Sequence, residues 1–381
     1  MKAGRIPVMV VYGTRPEAIK LAPVIKALED SPTLRPITLV TAQHREMLDQ
    51  VNDTFRIFPD GDLDLMRPGQ TLNQLSARIM QAIDSEIVRY KPAAVLVQGD
   101  TTTVMSAAIA AFNRSTPVIH LEAGLRSGNL ASPFPEEGNR KLVSQIASLH
   151  LAPTEQARHN LLLEGISPQS IAVTGNTVID ALKWAVKQPM KFNNPLLKVL
   201  ETTSRKMMLL TAHRRENLGR RMDEIGSAVA AIARRHPDLI IVWPAHRNPQ
   251  VRSAIEPHIA GINNILAIEP VEYLEFAHLI RRSYLVLTDS GGLQEEAPTF
   301  GRPVLVLREN TERPEAVESG VARLVGTNAS NIEAHVDRLL RDGAAYKEMS
   351  KAANPYGNGN AAARCLSAIY NLLSNQPLDV V

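Results

Sequence analysis

The sequence predicts an α/β protein with two domains, each a parallel β-sheet covered by helices. Short apolar runs alternate with helical patterns, and this series stops at a Pro- and Asn-containing stretch near Gln188–Pro195 before starting again. Buried runs separated by helices imply parallel strands joined by right-handed crossovers. The two series therefore predict two Rossmann-like domains that face one another across a cleft.

The first series contains six predicted strands, with helical patterns in the longer gaps between them. Short apolar runs of this kind are typical of strands that are buried on both faces. The strands are predicted at Pro7–Tyr12, Arg35–Thr41, Ala93–Gln98, Pro117–Leu121, Leu149–Ala152 and Ser170–Val173. The helices are predicted at Ile19–Asp30, Leu72–Tyr90 and Val104–Asn113.

The second series repeats the alternation without any short repeat in the sequence itself. Its strands are predicted at Lys206–Thr211, Leu239–Trp243, Ile265–Ile268, Tyr284–Thr288 and Pro303–Leu307, and its helices at Arg221–Arg235, Tyr273–Arg282 and Gly292–Thr299. A last helix, about Gly359–Asn375, is expected to pack back on the first domain. The expected domains are therefore residues 1–175 and 176–358, followed by this C-terminal helix at 359–381.

Composition narrows the class of protein. The chain has 381 residues and is 44% hydrophobic, which is enough for two buried cores. The 42 basic and 39 acidic residues are interspersed, and only 4% of residues are aromatic, so we expect no nucleic-acid partner. The single Cys365 excludes an intramolecular disulfide and a cysteine-cluster metal site. The apolar stretch Ile6–Tyr12 is too short to span a bilayer, so we expect a cytoplasmic protein without membrane association.

Ligands of open α/β sheets bind beyond the carboxyl ends of the strands, so the residues that follow each predicted strand matter most. Residues 13–17 read GTRPE, and Lys20 follows. A helix that begins near Pro16 would direct its amides and Arg15 at an anion. The segment is neither a dinucleotide fingerprint nor a P-loop. An ordinary capped turn with solvated basic residues explains it as well.

Three carboxylate positions follow strands or loops of the first series. Asp100 lies directly beyond a strand, where it suits either a helix N-cap or an acid–base role. Glu122 also follows a strand, and because its charge needs partners, an ion pair with His120 or Arg126 is the structural alternative. Glu136 and its neighbour Glu137 begin a helix after two prolines, where one of them is expected to be structural.

The second series ends its strands with cations and glycines. His213 begins a cationic cluster that suits a phosphate. His246 follows another strand, and it is a weaker indication of a binding site. The Ser-Gly-Gly turn at 290–292 exposes helix N-terminal amides, which favour a diphosphate. Glu296, one turn later, suits ribose hydroxyls, and Arg313 precedes another helix. A glycine-rich turn with acids at the start of a helix remains the alternative.

Together these residues suit a nucleotide-diphosphate sugar that lies across the cleft. The second domain offers contacts to phosphate and ribose, and the first offers carboxylates and Arg15. The sequence contains no HExxH or cysteine cluster that predicts a catalytic metal. The residues alone leave glycosyl transfer, sugar hydrolysis and sugar isomerisation open.

The chain resembles one family closely, the non-hydrolysing UDP-N-acetylglucosamine 2-epimerases of bacteria. The resemblance is carried by the joint presence and order of nine segments along nearly the whole chain. They are residues 13–20 (GTRPEAIK), 98–103 (QGDTTT), 122–126 (EAGLR), 133–137 (PFPEE), 153–155 (PTE), 174–177 (TGNT), 213–217 (HRREN), 289–292 (DSGG) and 311–315 (TERPE).

This resemblance implies a GT-B-like fold, a homodimer and no cofactor or essential metal. It implies reversible conversion of UDP-GlcNAc to UDP-ManNAc, in which UDP is eliminated to leave 2-acetamidoglucal and then adds back. By the resemblance, Asp100, Glu122 and Glu136 are acid–base candidates, and His213 stabilises the charge of the departing diphosphate. The implied substrate-binding residues are Arg15, Lys20, Phe276, Ser290, Gly291, Gly292, Glu296 and Arg313, with Phe276 beside the uracil.

The resemblance also implies a second, regulatory UDP-GlcNAc position. Gln43 and His246 match it, whereas Gly69 stands where some relatives carry Arg. Asn358 likewise replaces a common Asp, which we expect to be a minor change. Three alternatives remain open: a 2-epimerase of a related UDP-diacetamido-uronic acid, a GT-B glycosyltransferase, and a non-catalytic sensor of nucleotide sugars.

Overall fold

A computed structural model of the chain describes residues 4–41 and 45–375. The chain divides into two compact units, one formed by Met1–Ala181 with Tyr356–Val381 and the other by Leu182–Pro355. These bounds lie a few residues from the predicted ones, which were drawn after residues 175 and 358. Each unit is described separately below.

The first unit is built on a seven-stranded, fully parallel sheet with the strand order β3-β2-β1-β4-β5-β6-β7. Its strands are β1 Ile6–Tyr12, β2 Leu34–Val40, β3 Gly61–Asp62, β4 Ala94–Gln98, β5 Val118–Leu121, β6 Leu149–Ala152 and β7 Ile171–Val173. Its helices up to the boundary are α1 Arg15–Asp30, α2 Arg45–Phe55, α3 Leu72–Tyr90, α4 Thr102–Asn113, α5 Glu136–Ile146, α6 Glu155–Leu163 and α7 Thr177–Ala185, with a 3-10 turn at Pro168–Ser170. The central strands are buried on both faces, as their apolar runs predicted.

The second unit has a six-stranded parallel sheet in the order β10-β9-β8-β11-β12-β13. Its strands are β8 Met207–Thr211, β9 Ile240–Pro244, β10 Ile265–Ile268, β11 Leu285–Thr288, β12 Val304–Val306 and β13 Ala322–Leu324. Its helices are α8 Val199–Thr202, α9 Arg220–Arg235, α10 Pro249–Ile259, α11 Tyr273–Arg282, α12 Gly291–Glu296, α13 Pro314–Glu318, α14 Ala329–Arg341 and α15 Gly343–Lys351, with 3-10 turns at Pro195–Lys198, Arg215–Asn217 and Ala297–Phe300. Both sheets have the strand order of doubly wound nucleotide-binding folds.

The C-terminal helix α16, Ala361–Leu373, belongs to the first unit, where it packs against α1 and β6. The Asp180 carboxylate accepts hydrogen bonds from Ala361 N at 3.1 Å and Ala362 N at 3.0 Å, which are amides at the helix N-terminus. An acidic side chain is favourable there because it satisfies amides that have no partner within the helix. This cap fixes the start of α16 on the first unit.

Two predicted helices differ from the structure by more than two residues at one end. Helix α1 begins at Arg15 rather than Ile19, because Thr14 and Glu17 form a reciprocal capping box and Pro16 occupies the first turn. The predicted helix Gly292–Thr299 is α12 followed by the 3-10 turn. The short strands β3 and β13 were not predicted, since β3 is only Gly-Asp and β13 contains an arginine.

Two further observations concern the described residues as a whole. Within residues 4–41 and 45–375, none of the helices combines the length and the apolar character that crossing a membrane requires. Over the same residues, no group of three or more His, Cys, Asp or Glu side chains is arranged to hold a metal ion.

Gly124 shows how closely the loop after β5 approaches α6. Its φ is +91°, and a methyl group at this position would lie 2.2 Å from the carbonyl oxygen of Ala157. Only glycine combines this backbone conformation with such a close approach. The residue therefore fixes the path of the chain just after the strand that ends at Leu121.

We predict that Gly124→Ala lowers the free energy of unfolding by about 2 kcal/mol or more, through backbone strain and the clash with Ala157. Urea unfolding followed by circular dichroism measures this change. Gly128→Ala is the matched control: φ is +75° there, but an added methyl group meets no atom of the described residues within 4 Å. It should cost about 1 kcal/mol. Equal losses in the two variants would show that the close approach does not matter.

Candidate functional site

In the first unit, β1, β4 and β5 are neighbours in the sheet, so the loops that follow them lie side by side. These loops carry the segments singled out in the sequence. Direct side-chain bonds connect them: Thr101 Oγ1 donates to Glu17 Oε1 at 2.5 Å, and Gln98 donates to Glu122. We call the carboxylates Asp100, Glu122 and Glu136 the carboxylate cluster, by their shared place beyond the sheet.

Glu122 is the most constrained of the three. Its backbone is left-handed with φ +63°, which is uncommon for a residue other than glycine, and its side chain is almost fully buried. Lys20 Nζ lies 2.5 Å from Oε1, Asn176 Nδ2 donates to Oε1 at 3.2 Å, and Gln98 Nε2 donates to Oε2. The buried charge is thus paired and hydrogen-bonded, as desolvation requires. A backbone strain of about 1–2 kcal/mol is maintained by these contacts.

The predicted alternative, an ion pair of Glu122 with His120 or Arg126, is wrong. Arg126 instead pairs with Glu164, at 2.6 Å between Nη2 and Oε2, because Gly124 turns the chain toward α6 and Glu164 caps that helix. His120 Nε2 bonds the carbonyl oxygen of Gly99 at 2.7 Å. Complete burial lowers the pKa of His120 to about 3, so its imidazole is neutral.

Glu17 organises the loop after β1, a role that the sequence analysis did not assign. Its Oε2 accepts from Gly13 N at 2.6 Å and Thr14 N at 2.8 Å, and its Oε1 accepts from Thr101. Burial raises the pKa of Glu17 even though these hydrogen bonds oppose the shift. The Thr14-to-Glu17 spacing is a capping-box signal that was present in the sequence. It places Arg15, half-buried, at the first position of α1.

Asp100 is held by Arg140, another residue to which no role was assigned. Arg140 Nε donates to Asp100 Oδ2 at 2.8 Å and Nη2 donates to the same oxygen at 2.5 Å. Asn139 Nδ2 donates to the backbone carbonyl of Asp100 at 2.8 Å. The N-cap of α4 is Thr101, whose Oγ1 accepts from Val104 N. The alternative of an N-cap role for Asp100 is therefore not realised.

The adjacent Glu136 and Glu137 have opposite surroundings. Glu137 is fully buried and accepts from Ser127 N at 3.0 Å, Gly128 N at 3.2 Å and Arg140 Nη1 at 3.0 Å. Burial opposes ionisation, but these hydrogen bonds outweigh it and hold the pKa of Glu137 below its usual range. Glu136 Oε2 is buried, yet no described residue donates a hydrogen bond to it. Glu137 therefore has the surroundings of a structural carboxylate, whereas Glu136 has a vacant acceptor.

In the second unit, Asp289 binds the end of β11 to the loop after β8. Its fully buried carboxylate accepts from His213 N and Arg214 N, both at 2.9 Å, and from Asn217 Nδ2 at 3.1 Å. Because β8 and β11 are neighbours, this single side chain fixes the cationic segment that the sequence analysis singled out. The sequence did contain an indication of this structural role, because Asp289 is a single acidic residue directly after a buried strand.

The imidazole of His213 is 40% exposed, and its Nδ1 lies 3.4 Å from Asp289 Oδ1. It stacks on the ring of His246 with centroids 5.3 Å apart. Partial burial lowers the pKa of His213, and the nearby His246 and Arg214 add to the shift while Asp289 opposes it. His246 itself is exposed, and Gln43 lies outside the described residues.

The start of α12 brings together Ser290, Gly291 and Arg313. Ser290 is the N-cap residue, and its backbone N donates to Thr288 Oγ1 at 2.9 Å. A methyl group at Gly291 would lie 2.5 Å from Arg313 Nη1, so glycine is required for the guanidinium to lie beside this turn. Gly292 follows with ordinary contacts. Glu296 ends the helix, and both it and Phe276 on α11 are half-buried.

Arg313 belongs to an arginine cluster built around Glu312 and consisting of Arg214, Arg308 and Arg313. Glu312 Oε1 lies 2.8 Å from Arg313 Nη1 and 3.1 Å from Arg214 Nη2, and its Oε2 lies 2.7 Å from Arg308 Nη1. Arg313 Nε also pairs with Glu295 at 2.5 Å. Burial would raise the pKa of Glu312, but the three guanidinium groups outweigh it and lower the pKa to about 2.

The fold and these contacts define a doubly wound α/β protein with cations and helix amides beyond one sheet and carboxylates beyond the other. The sequence profile of the UDP-N-acetylglucosamine 2-epimerases matches residues 26–370. The UDP-N-acetylglucosamine 2-epimerase of Yersinia pestis is 50% identical over 371 residues, which are 96% of this chain and 98% of that protein. That of Escherichia coli K12 is 49% identical over 370 residues, with coverages of 96% and 98%.

A solved structure is similar over the same length. The crystal structure of UDP-GlcNAc 2-epimerase from Neisseria meningitidis bound to UDP-GlcNAc has a TM-score of 0.88 and 44% identity, and the match covers 96% of this chain and all of that one. The chain belongs to the UDP-N-acetylglucosamine 2-epimerase family, a family of isomerases. The predicted family and the predicted α/β class with two Rossmann-like domains are confirmed.

The arginine cluster predicts a specific pH dependence of stability. The folded-state pKa of Glu312 is depressed from about 4.5 to about 2, so its contribution is complete above about pH 4.5 and is lost as the pH falls toward 2. The shift corresponds to about 3 kcal/mol at most. We expect Glu312→Gln to lose up to this amount at pH 7 and to approach the wild type below pH 4.5, in urea unfolding curves.

Glu318→Gln provides the control for this prediction. Glu318 is exposed on the neighbouring α13, and the described residues make no ion pair with it. Its substitution should leave the curves unchanged at every pH. A loss in Glu312→Gln that stays constant as the pH falls from 7 toward 2 would contradict the electrostatic origin of the effect.

Proposed function

We propose that this chain interconverts UDP-GlcNAc and UDP-ManNAc by inverting C2 of the sugar, through elimination of UDP and re-addition to 2-acetamidoglucal. The hydrogen at C2 is barely acidic because it lies next to an amide nitrogen rather than a carbonyl group. Its removal becomes feasible when the C2–H electron pair forms the C1–C2 double bond while the C1–oxygen pair leaves with UDP. Re-addition reverses these steps and delivers the proton to the opposite face. No net oxidation occurs, so the reaction needs no redox cofactor.

The carboxylate cluster supplies the proton transfers in this proposal. Asp100, Glu122 and Glu136 are the acid–base candidates, and such catalysis contributes about 10²–10⁴-fold. Glu122 supports the assignment best, since its left-handed backbone and its pairing with Lys20 maintain a strained, charged group beyond a sheet edge. Glu136 adds a carboxylate oxygen to which no described residue donates a hydrogen bond.

The second unit supplies groups that suit the UDP portion. The amides at the Ser290–Gly292 turn and the guanidinium of Arg313 suit a diphosphate, as does Arg15 on the first unit. His213, whose side chain is 40% exposed at the start of the cationic segment 213–217, stabilises the charge that develops as UDP departs. We assign Glu296 to the ribose and Phe276 to the uracil by resemblance.

The observation that carries the proposal is the combination of family membership with the Lys20–Glu122 pair beyond the first sheet. A glycosyltransferase also needs a diphosphate site, but it does not need several carboxylates for proton transfer at C2. We further propose, from the resemblance alone, that the protein acts as a cytoplasmic homodimer. Light scattering coupled to size-exclusion chromatography tests the dimer.

Incubation of the wild-type protein with UDP-GlcNAc in D₂O should place deuterium at C2 of both UDP-GlcNAc and UDP-ManNAc, without any acceptor. Proton NMR follows the loss of the C2 signal. Glu122→Gln should slow this exchange by at least about 10²-fold. Folded protein that binds UDP but incorporates no deuterium would contradict the proposal, and exchange only with a diacetamido-uronic acid nucleotide would change the substrate.

The neighbouring glutamates form a matched pair of variants. Glu136→Gln should reduce exchange at C2 by about 10²-fold or more with little loss of thermal stability, because no described residue donates to its buried oxygen. Glu137→Gln should lower the thermal midpoint, because it weakens the bonds from Ser127, Gly128 and Arg140. If Glu136→Gln retains full exchange activity, Glu136 is not an acid–base residue.

A further inference from the structure

We propose that Arg140 is a positioning residue that orients Asp100 for proton transfer by binding only one of its two carboxylate oxygens. The inference rests on the proposed epimerase function and deepens it. Neither the motifs nor the family resemblance assigned a role to Arg140. The inference comes from three contacts: Arg140 with Asp100, Arg140 with Glu137, and Asn139 with the backbone of Asp100.

The first contact, between Arg140 and Asp100, is unusual because both donor nitrogens bind the same carboxylate oxygen. A guanidinium usually binds a carboxylate as a fork, with one N–H group on each oxygen. Here Nε and Nη2 of Arg140 both donate to Oδ2 of Asp100, at 2.8 and 2.5 Å. No described residue donates a hydrogen bond to Oδ1 of Asp100. A parallel fork would occupy both oxygens, whereas this arrangement leaves one acceptor open.

The second contact holds Arg140 through its remaining terminal nitrogen. Its Nη1 donates at 3.0 Å to Oε2 of the fully buried Glu137, which is itself held by the backbone amides of Ser127 and Gly128. The side chain of Arg140 is only 12% exposed. Although burial opposes it, the carboxylates of Asp100 and Glu137 raise the pKa of Arg140, so the group is always charged. The cation cannot rotate away from Asp100 without breaking a buried ion pair.

The third contact comes from the preceding residue. Asn139 Nδ2 donates to the backbone carbonyl of Asp100 at 2.8 Å, so α5 holds both the main chain and the side chain of that residue. The same helix begins with Glu136. The first turns of α5 therefore set the position of Asp100 relative to Glu136. A fixed distance between two proton-transfer groups is what elimination and re-addition at one carbon require.

These contacts make the two carboxylate oxygens of Asp100 chemically different. Oδ2 accepts two charge-assisted hydrogen bonds and would have to give one up to take a proton. Oδ1 takes and returns the proton instead. Arg140 therefore determines which oxygen of the Asp100 carboxyl group is reactive. Because the guanidinium of Arg140 acts on the Asp100 carboxylate, its effect on proton transfer should pass through Asp100.

A double-mutant cycle tests this dependence. Wild type, Arg140→Lys, Asp100→Asn and the double variant are compared for deuterium exchange at C2 of UDP-GlcNAc. We expect Arg140→Lys to lower kcat by about 10–100-fold with KM within about twofold, since lysine has one nitrogen and cannot place two donor nitrogens on the same oxygen. In the Asp100→Asn background the same substitution should change the rate by less than about twofold. Equal losses in both backgrounds would overturn the inference, as would a raised KM with unchanged kcat.

One control variant separates a positioning role from a role in stability. Arg126→Lys alters another arginine with a buried side chain, paired with Glu164 instead of the carboxylate cluster. It should lower the thermal midpoint while leaving kcat within about twofold. If Arg140→Lys does not fold, Arg140→Met combined with Glu137→Gln removes the unpaired buried charge and enters the same cycle. A cycle that is additive with this pair would equally overturn the inference.

The outcomes distinguish this inference from the proposed function. Wild-type protein without exchange at C2 would overturn both. Wild-type protein with exchange, together with an additive cycle, would overturn only the positioning role and leave the epimerase function in place.

Discussion

The rest of the site depends on the cost of burying carboxylates at the carboxyl ends of parallel strands. A buried carboxylate must be supplied with donors. Glu17 draws in the amides of Gly13 and Thr14, Glu137 draws in those of Ser127 and Gly128, and Asp289 draws in those of His213 and Arg214. Each of these acids therefore fixes the main chain of a loop. The loops are ordered by their need to satisfy a charge rather than by their own packing.

This requirement divides the acidic residues into two kinds. Glu137 and Asp289 have several donors each, so they act as structural groups within their units. Asp100 and Glu136 each have a carboxylate oxygen to which no described residue donates. An oxygen without a protein donor can take a proton without loss of a hydrogen bond, whereas the donors around Glu137 and Asp289 hold those carboxylates in place. The adjacent pair Glu136 and Glu137 shows both requirements within one turn of helix.

The nearly balanced charge of the chain is also found locally, where arginines are paired with acidic residues. The excess of basic over acidic residues is small, and the arginines of the second unit surround Glu312 rather than repelling one another. Glu312 thus allows three guanidinium groups to lie together, and one of them, that of Arg313, lies beside Gly291. The arginine cluster is therefore built without unpaired like charges.

The sequence alone determined the alternation of strands and helices and the order of the motifs, because both depend on local periodicity and residue type. It therefore sufficed for the α/β class, the two domains and the family. It did not determine β3, which is too short for any periodicity, or the partners of the charged residues. Lys20 meets Glu122 and Arg140 meets Asp100 only in the folded chain, across 102 and 40 residues of sequence. Those pairings follow from which strands are neighbours in the sheet, and local sequence contains no record of strand order.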